Sequence, residues 1–319
     1  MCLIGNKYIQ LKQEQLIRIV VVCLIIAYFF YFFIIYEEER THADLIQETN
    51  QSISAKLLPK KGKLFCWVQT SKKYHSTRVK AINSTWLKRC DNGQFFTSDS
   101  MDDESIPYTT VFHNMPDSWY KLFRKSRYAF YHIYQEISKD FEWYLKADDD
   151  SYVIVEHLKE FLSQFDHNKP YLIGHTYKPY LEHGYVSGGA TYAISREALR
   201  IFAEELYFNI TACPLNGPYE DLEMSRCFSH KNIFPIDTRN AKGQQRFHPE
   251  PMNTIMERNE ENKEFAMNKV FKGMEAFAEE TISFHHLSPT EIRVLDSILY
   301  RIQSPQLSSY YKINKENQT

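Results

Sequence analysis

Three consecutive carboxylates, Asp148-Asp149-Asp150, directly follow the apolar, aromatic run FEWYLKA. On a tight turn the first and third can face one point, and paired oxygen donors of that kind suit a hard divalent cation such as Mg²⁺ or Mn²⁺. Clustered carboxylates at a strand end repel one another unless a cation sits between them. Alone, the triplet reads equally well as a solvated acidic turn, so its position is the informative part. A second acidic pair, Glu220-Asp221, follows the loop Pro-Leu-Asn-Gly-Pro and opens a helix toward Cys227. Acidic residues at a helix start normally serve the helix dipole. Facing a metal site across a cleft, either one becomes a candidate base. Tyr185-Val-Ser-Gly-Gly-Ala190 places Gly188 and Gly189 before a strand, where the backbone can approach a ligand or simply bend. His285, in SFHHL, is either packed core or a ligand.

Positioning these groups requires a scaffold, and the hydrophobic pattern supplies one. LFCWVQT (64–70) reads as a buried strand, VKAINSTWLKRC (79–90) as a helix, and GQFFTS (93–98) as a second strand. Residues 119–137 form a long amphipathic segment rich in aromatics. FEWYLKA (141–147) is a strand that ends in the aspartates, and VIVEHLKEFLSQF (153–165) is the helix behind them. YLIGH (171–175) and TYAIS (191–195) are further strands, after which Ser195 is predicted to cap the helix REALRIFAEEL. The alternation predicts an α/β fold with a largely parallel or mixed sheet. In such sheets ligands bind beyond the carboxyl ends of strands, where Asp148 would lie.

The N-terminus has a different character. Residues 19–36, IVVVCLIIAYFFYFFIIY, carry no charge and would span roughly 27 Å as a helix. Lys7, Lys12 and Arg18 precede the run and Glu37, Glu38 and Glu39 follow it. The charge asymmetry predicts a cytosolic tail (1–18), a signal anchor (19–36), a stem (37–62) and a lumenal domain (63–319). A cleaved signal peptide fits less well, because the run is long and ends in Tyr-Glu-Glu-Glu. Cys66, Cys90, Cys213 and Cys227 all fall on the lumenal side, and the two local pairings are the simplest of three. Sequons at Asn50, Asn83, Asn209 and Asn317 agree with export. With 38 Lys+Arg against 40 Asp+Glu the chain is near neutral, without the basic surplus of a nucleic-acid binder. Its 43% hydrophobic and 15% aromatic content excludes intrinsic disorder.

Taken in order, FCWVQT, STWLKRC, WYLKADDDSYVI, KPYLEHGYVSGGATYAISREAL, EDLEMSRCF, DTR…G…RFHP and SFHH resemble the core 1 β1,3-galactosyltransferases. These belong to the β1,3-glycosyltransferase family that also includes Fringe, and the likeness runs through nearly all of residues 63–300. The resemblance implies an α/β nucleotide-sugar transferase fold of the GT-A type in a single-pass type II Golgi membrane enzyme. It implies Mn²⁺-dependent, inverting transfer of galactose from UDP-galactose to the 3-OH of GalNAc O-linked to Ser/Thr of glycoproteins. Under it, Asp148 and Asp150 handle metal and donor, and His285 is a further metal ligand. Asp221 is the general base, with Glu220 as the second choice. Thr70, Arg78 and Lys80 match the nucleotide-binding region, and Lys146, Tyr185, Gly188 and Gly189 match the pocket lining. Dimers are common in the family, so a homodimer is compatible with it.

The stretch 250–283 departs from the family, which carries an aromatic-rich acceptor-side segment and a Cys-Cys there. Here it holds Phe but no Trp, Tyr or Cys. Thr191 stands where the family usually has Gly, and Asn83 where it often has a basic residue. Two activities are therefore expected as alternatives. One is the transferase. The other is a non-catalytic member that assists folding of a core 1 galactosyltransferase, a role that needs no metal site.

Overall fold

The computed structural model describes residues 15–34, 36, 49–257, 265–269 and 271–302. The first 14 residues of the predicted tail, residues 37–48 of the predicted stem, and Asn317 lie outside the described residues. The chain divides into two units, Met1–Thr49 and Asn50–Thr319.

In the first unit, helix α1 (Gln15–Ile34) has 20 residues, a mean hydropathy of 2.6 and no buried residue, so it is long and apolar enough to cross a membrane. Its bounds overlap the predicted anchor. Arg18 falls inside the helix, near its start.

The second unit begins with α2 (Ile53–Leu57), followed by β1 (Lys61–Gln69). The boundary lies earlier than residue 63. Gln51 bridges Thr109, and the amide of Ser52 donates to the Tyr108 carbonyl at 3.0 Å, so the end of the predicted stem is part of the domain. Then come α3 (Lys80–Asn83), β2 (Asn92–Phe96), β3 (Tyr108–Thr109), α4 (Leu122–His132) and β4 (Asp140–Asp148). They are followed by β5 (Tyr152–Val153), α5 (Val155–Leu162), β6 (Leu172–Gly174), β7 (Thr176–Tyr177), β8 (Tyr185–Val186), β9 (Tyr192–Ser195) and α6 (Arg196–Ile201). The chain closes with α7 (Glu220–Ser229), α8 (Met252–Glu257), β10 (Ser283–Phe284) and α9 (Pro289–Tyr300).

The central sheet runs β3-β2-β1-β4-β9-β6. Strands β1, β2, β3 and β4 are parallel neighbours, whereas β9 runs antiparallel to both β4 and β6, so the sheet is mixed as expected. Its inner strands are buried on both faces, the usual condition of parallel strands. From Leu64 to Val68 every β1 residue is fully buried. Disulfides join Cys66 to Cys90 and Cys213 to Cys227, the two local pairings. The first ties β1 to the turn before β2, and the second ties the 213–219 loop to α7.

The predicted helix over 79–90 is shorter than its pattern. The segment 79–90 breaks after α3 because Ser84 and Thr85 donate their hydroxyls to the Ala81 carbonyl, at 3.0 and 2.7 Å, and the chain leaves the helix at Thr85. The segment 119–137 enters through a single 3₁₀ turn, Trp119–Lys121, before α4 begins. Ser195 caps α6 as expected, accepting from the Ala198 amide at 3.2 Å.

Candidate active site

The parallel register sets Gln69 beside Asp148, so the carboxyl ends of β1 and β4 open at one edge of the sheet. A cleft of about 460 Å³ lies there. Its lining includes Gln69, Thr70, Tyr74 and Arg78, the turn Asp148, Asp149 and Asp150 with His285, and Asp117, Trp119 and Lys125.

The three aspartates divide their work. Asp149 turns inward, accepting from the Thr70 hydroxyl at 2.7 Å and the Arg78 guanidinium at 2.6 Å. Burial pushes its carboxyl up to about 6, against the pull of Arg78 and Thr70. Asp148 and Asp150 turn the other way, toward His285. The Nε2 of His285 lies 3.1 Å from an Asp150 oxygen and 3.9 Å from an Asp148 oxygen. Burial works against the charge on Asp150, but His285, Arg78 and His286 together outweigh it and hold the carboxyl below its ordinary value. Burial likewise opposes charge on His285, and Asp150 with Asp148 overcomes it, so that pKa is raised. Pairing with a proton and binding a cation are alternative ways of balancing the same two carboxylates.

What brings His285 there is long-range. β10 pairs antiparallel with β5, Ser283 against Val153 and Phe284 against Tyr152, and the Leu287 amide donates to the Asp150 carbonyl at 2.9 Å. The aspartate turn and the histidine pair are thereby locked to the same short ribbon. His286, which sequence reasoning did not single out, joins the cluster. Ligand atoms of Asp150, His285 and His286 lie within 4.8 Å of one another. Carboxylate oxygens and imidazole nitrogens together form a donor set of the kind that binds a divalent cation.

Lys146 joins this cluster to α7. Its ammonium, on a buried side chain, sits 2.6 Å from Asp148 and 3.6 Å from Glu220. Burial opposes that charge, but the carboxylates of Asp148 and Glu220 outweigh it and hold the pKa above the ordinary lysine value. Glu220 is itself buried and also accepts from the Tyr192 hydroxyl at 2.8 Å, which makes it an internal counter-ion. Asp221 is less enclosed. It accepts the Gly188 amide at 3.0 Å and the Leu222 amide at 2.9 Å, while burial pushes its pKa up against those bonds. Four lone pairs on a carboxylate leave room for an incoming hydroxyl.

The glycines make space for these side chains. A Cβ on Gly188 would stand 2.7 Å from a Glu220 oxygen, and one on Gly189 only 2.1 Å from the His285 ring. Their requirement here is therefore close approach of the protein's own catalytic candidates. Tyr185, on β8, lies outside the cleft lining, and burial, with the charge of Asp221 adding to it, raises the phenol pKa. Lys80 is exposed on α3, outside the cleft lining, and Asp103 feels its charge. Thr70, Arg78, Lys146, Asp148, Asp150, His285, Glu220 and Asp221 are thus brought together, whereas Lys80 is not. Tyr74, whose ring lies 4.0 Å under the Arg78 guanidinium, and Asp149 itself were missed by sequence reasoning. A basic residue four positions after an aromatic was the only signal available for Tyr74.

A Fringe-like family profile spans residues 60–306. Glycoprotein-N-acetylgalactosamine 3-beta-galactosyltransferase 1 of Xenopus laevis is 29% identical over 253 residues, covering 77% of this chain and 69% of that protein. A beta-1,3-glucosyltransferase of Mus musculus is 29% identical over 178 residues, covering 53% of this chain, which spans only 34% of that relative's length. Among solved structures, a glycosyltransferase involved in the glycosylation of the major capsid of PBCV-1 aligns with 55% of this chain and 80% of its own, at 13% identity and a TM-score of 0.36. With a profile match running from the start of β1 past the end of α9, the chain belongs to the Fringe-like family of β1,3-glycosyltransferases.

Proposed function

We propose that this chain is an inverting galactosyltransferase. In this reading it moves galactose from UDP-galactose to the 3-OH of GalNAc O-linked to Ser/Thr of glycoproteins, with Mn²⁺ as its metal. α1 would anchor it as a single-pass type II protein of the Golgi membrane. The observation that carries the reading is that Lys146 joins the Asp148, Asp150 and His285 cluster to the acidic start of α7. Asp148, Asp150 and His285 converge at the cleft, Lys146 bridges Asp148 to Glu220, and its charge also acts on Asp221, the next residue along α7. A purely client-binding protein has no use for that arrangement.

Asp148, Asp150 and His285 would hold the cation, which when bound neutralises charge developing on the departing diphosphate. Arg78 lines the donor side, its guanidinium held by Asp149 and 3.3 Å from Asp150. Inversion needs one displacement in line, with the acceptor oxygen opposite the leaving group. Asp221 would take the acceptor's hydroxyl proton, and burial that raises its pKa makes it a stronger base while Lys146 favours the ionised form. Lys146 also keeps Asp148 and Glu220 in register between donor and base. Positioning both substrates in this cleft would supply much of the remaining rate.

The test is donor and acceptor choice by the full-length chain in detergent. UDP-galactose and UDP-glucose are each offered with Mn²⁺ and a GalNAc-Thr glycopeptide. Galactose transfer to that peptide is the expected result. Transfer of glucose alone would move the chain toward its glucosyltransferase relatives, and transfer of neither would remove the catalytic reading.

A further inference from the structure

Three large aromatic side chains stand exposed together, one of them, Trp119, in the cleft lining. Trp119 is 53% exposed, Tyr120 68% and Tyr219 48%, whereas Trp67, Trp86 and Trp143 are buried. They are one cluster. The Trp119 ring lies 5.2 Å from that of Tyr219 and 5.4 Å from that of Tyr120, in both cases nearly perpendicular. In each edge-to-face pair the edge of one ring covers one face of the other, and the remaining faces stay open.

Their place in the fold is specific. Trp119 lines the cleft that holds Asp148, Asp150 and His285, while Tyr219 immediately precedes Glu220 and Asp221 and lies outside that lining. The cluster therefore spans from the donor side to the candidate base. An acceptor hydroxyl must sit in that interval if it is to meet both. The supporting loop is held firmly. The Lys121 ammonium donates to the Asn216 side chain at 3.2 Å, the Cys213–Cys227 disulfide ties the loop to α7, and Gly217 packs so tightly on Glu223 that a Cβ there would stand 2.3 Å from its side chain. The stretch 250–283, where the family likeness leads one to expect acceptor aromatics, has no Trp or Tyr.

We propose that Trp119, Tyr120 and Tyr219 form the platform on which the acceptor's sugar ring stacks. The occupant is a galacto-configured pyranose. Its axial 4-OH leaves one face of the ring as a continuous patch of C–H groups, matched to an aromatic face, while the ring's hydroxyl edge stays free to reach Asp221. The inference rests on the transferase reading for its sugar acceptor and adds the residues that select it.

The test uses full-length protein in detergent. Because the other three tryptophans are buried, acrylamide quenching reports chiefly on Trp119. A GalNAc-Thr glycopeptide should shield Trp119 from quencher in the wild type, and Tyr219→Ala should lose that shielding. In turnover, Tyr219→Ala and Tyr120→Ala should each raise the acceptor KM about ten-fold, with the UDP-galactose KM unchanged and Tyr219→Phe close to wild type. Unchanged acceptor KM in both alanine variants overturns the proposal, as does a donor KM that rises in step with the acceptor's, which would make the platform part of the nucleotide site. If no galactose moves but the glycopeptide still shields Trp119 in a Tyr219-dependent way, the platform stands and the transferase reading falls. If transfer proceeds normally in the alanine variants, the platform falls and the transferase reading stands.

Discussion

His132 provides a quantitative test of the core. It sits at the end of α4 with its ring 6.4 Å from Phe96 and 5.8 Å from Tyr128, 3% exposed, and neither ring nitrogen has a hydrogen-bond partner. Burial alone lowers its pKa from 6.5 to about 4. The folded protein therefore refuses a proton that the unfolded chain accepts. Stability from this group is fully present above pH 6.5, falls as pH drops, and reaches its lowest level near pH 4. Between pH 7 and pH 5 the loss works out at about 2 kcal/mol, which is a Tm change of roughly 4–8 °C for a domain of this size. The perturbation is His132→Leu, which keeps an apolar group of similar bulk and removes the titration. Thermal unfolding of both proteins across that pH range, followed by intrinsic fluorescence, gives two curves. The variant's Tm should fall less steeply toward acid, by that difference. Parallel curves would refute the reasoning, because His132 would then have to be charged or hydrogen-bonded in the folded state.

Other perturbations bear on the site. Gly189→Ala should displace the His285 ring and weaken Mn²⁺ binding, measured by calorimetry, while the unfolding transition remains cooperative. Asp221→Asn keeps an oxygen for the Gly188 amide but cannot take a proton, so UDP-galactose binding should persist while kcat falls on the order of 10²–10⁴-fold. Thr191→Gly should stabilise the domain by about 1 kcal/mol in denaturant unfolding. The native threonine is β-branched at φ +67° and carries a buried hydroxyl without a hydrogen-bond partner. Both costs outweigh the small void left behind.

What the sequence made legible was local. The strand leading into Asp148, the Ser195 cap and the two short disulfide loops are each encoded within a few residues. The metal-side aspartates could be found for the same reason, since spacing on one turn decides which carboxylates share a face. Asp149 shows the limit of that logic, because its inward turn depends on Thr70 and Arg78, some seventy-odd positions away. His285 could not be separated from a core histidine by its neighbours, because its position follows from the pairing of β10 with β5 across more than a hundred residues. Gly188 and Gly189 were recognisable as close-approach glycines, but what approaches them is set by α7 and the residue after β10. The exposed Trp119 and Tyr120 were invisible for another reason. Their spacing continues the amphipathic pattern of α4, and only the 3₁₀ turn rotates them out of the core.

The central claim is that the Asp148, Asp150 and His285 cluster serves as a metal-dependent donor site and works together with Asp221 as the base. It is tested most directly by incubating the full-length chain in detergent with UDP-galactose and a GalNAc-Thr glycopeptide, with Mn²⁺ and then with EDTA, and reading the product's linkage by NMR. The account predicts β-linked galactose on O3 of GalNAc, formed only with the metal and lost in Asp150→Asn. Absence of product, together with no Mn²⁺-dependent binding of UDP-galactose, would contradict it and leave a client-assisting role for the fold.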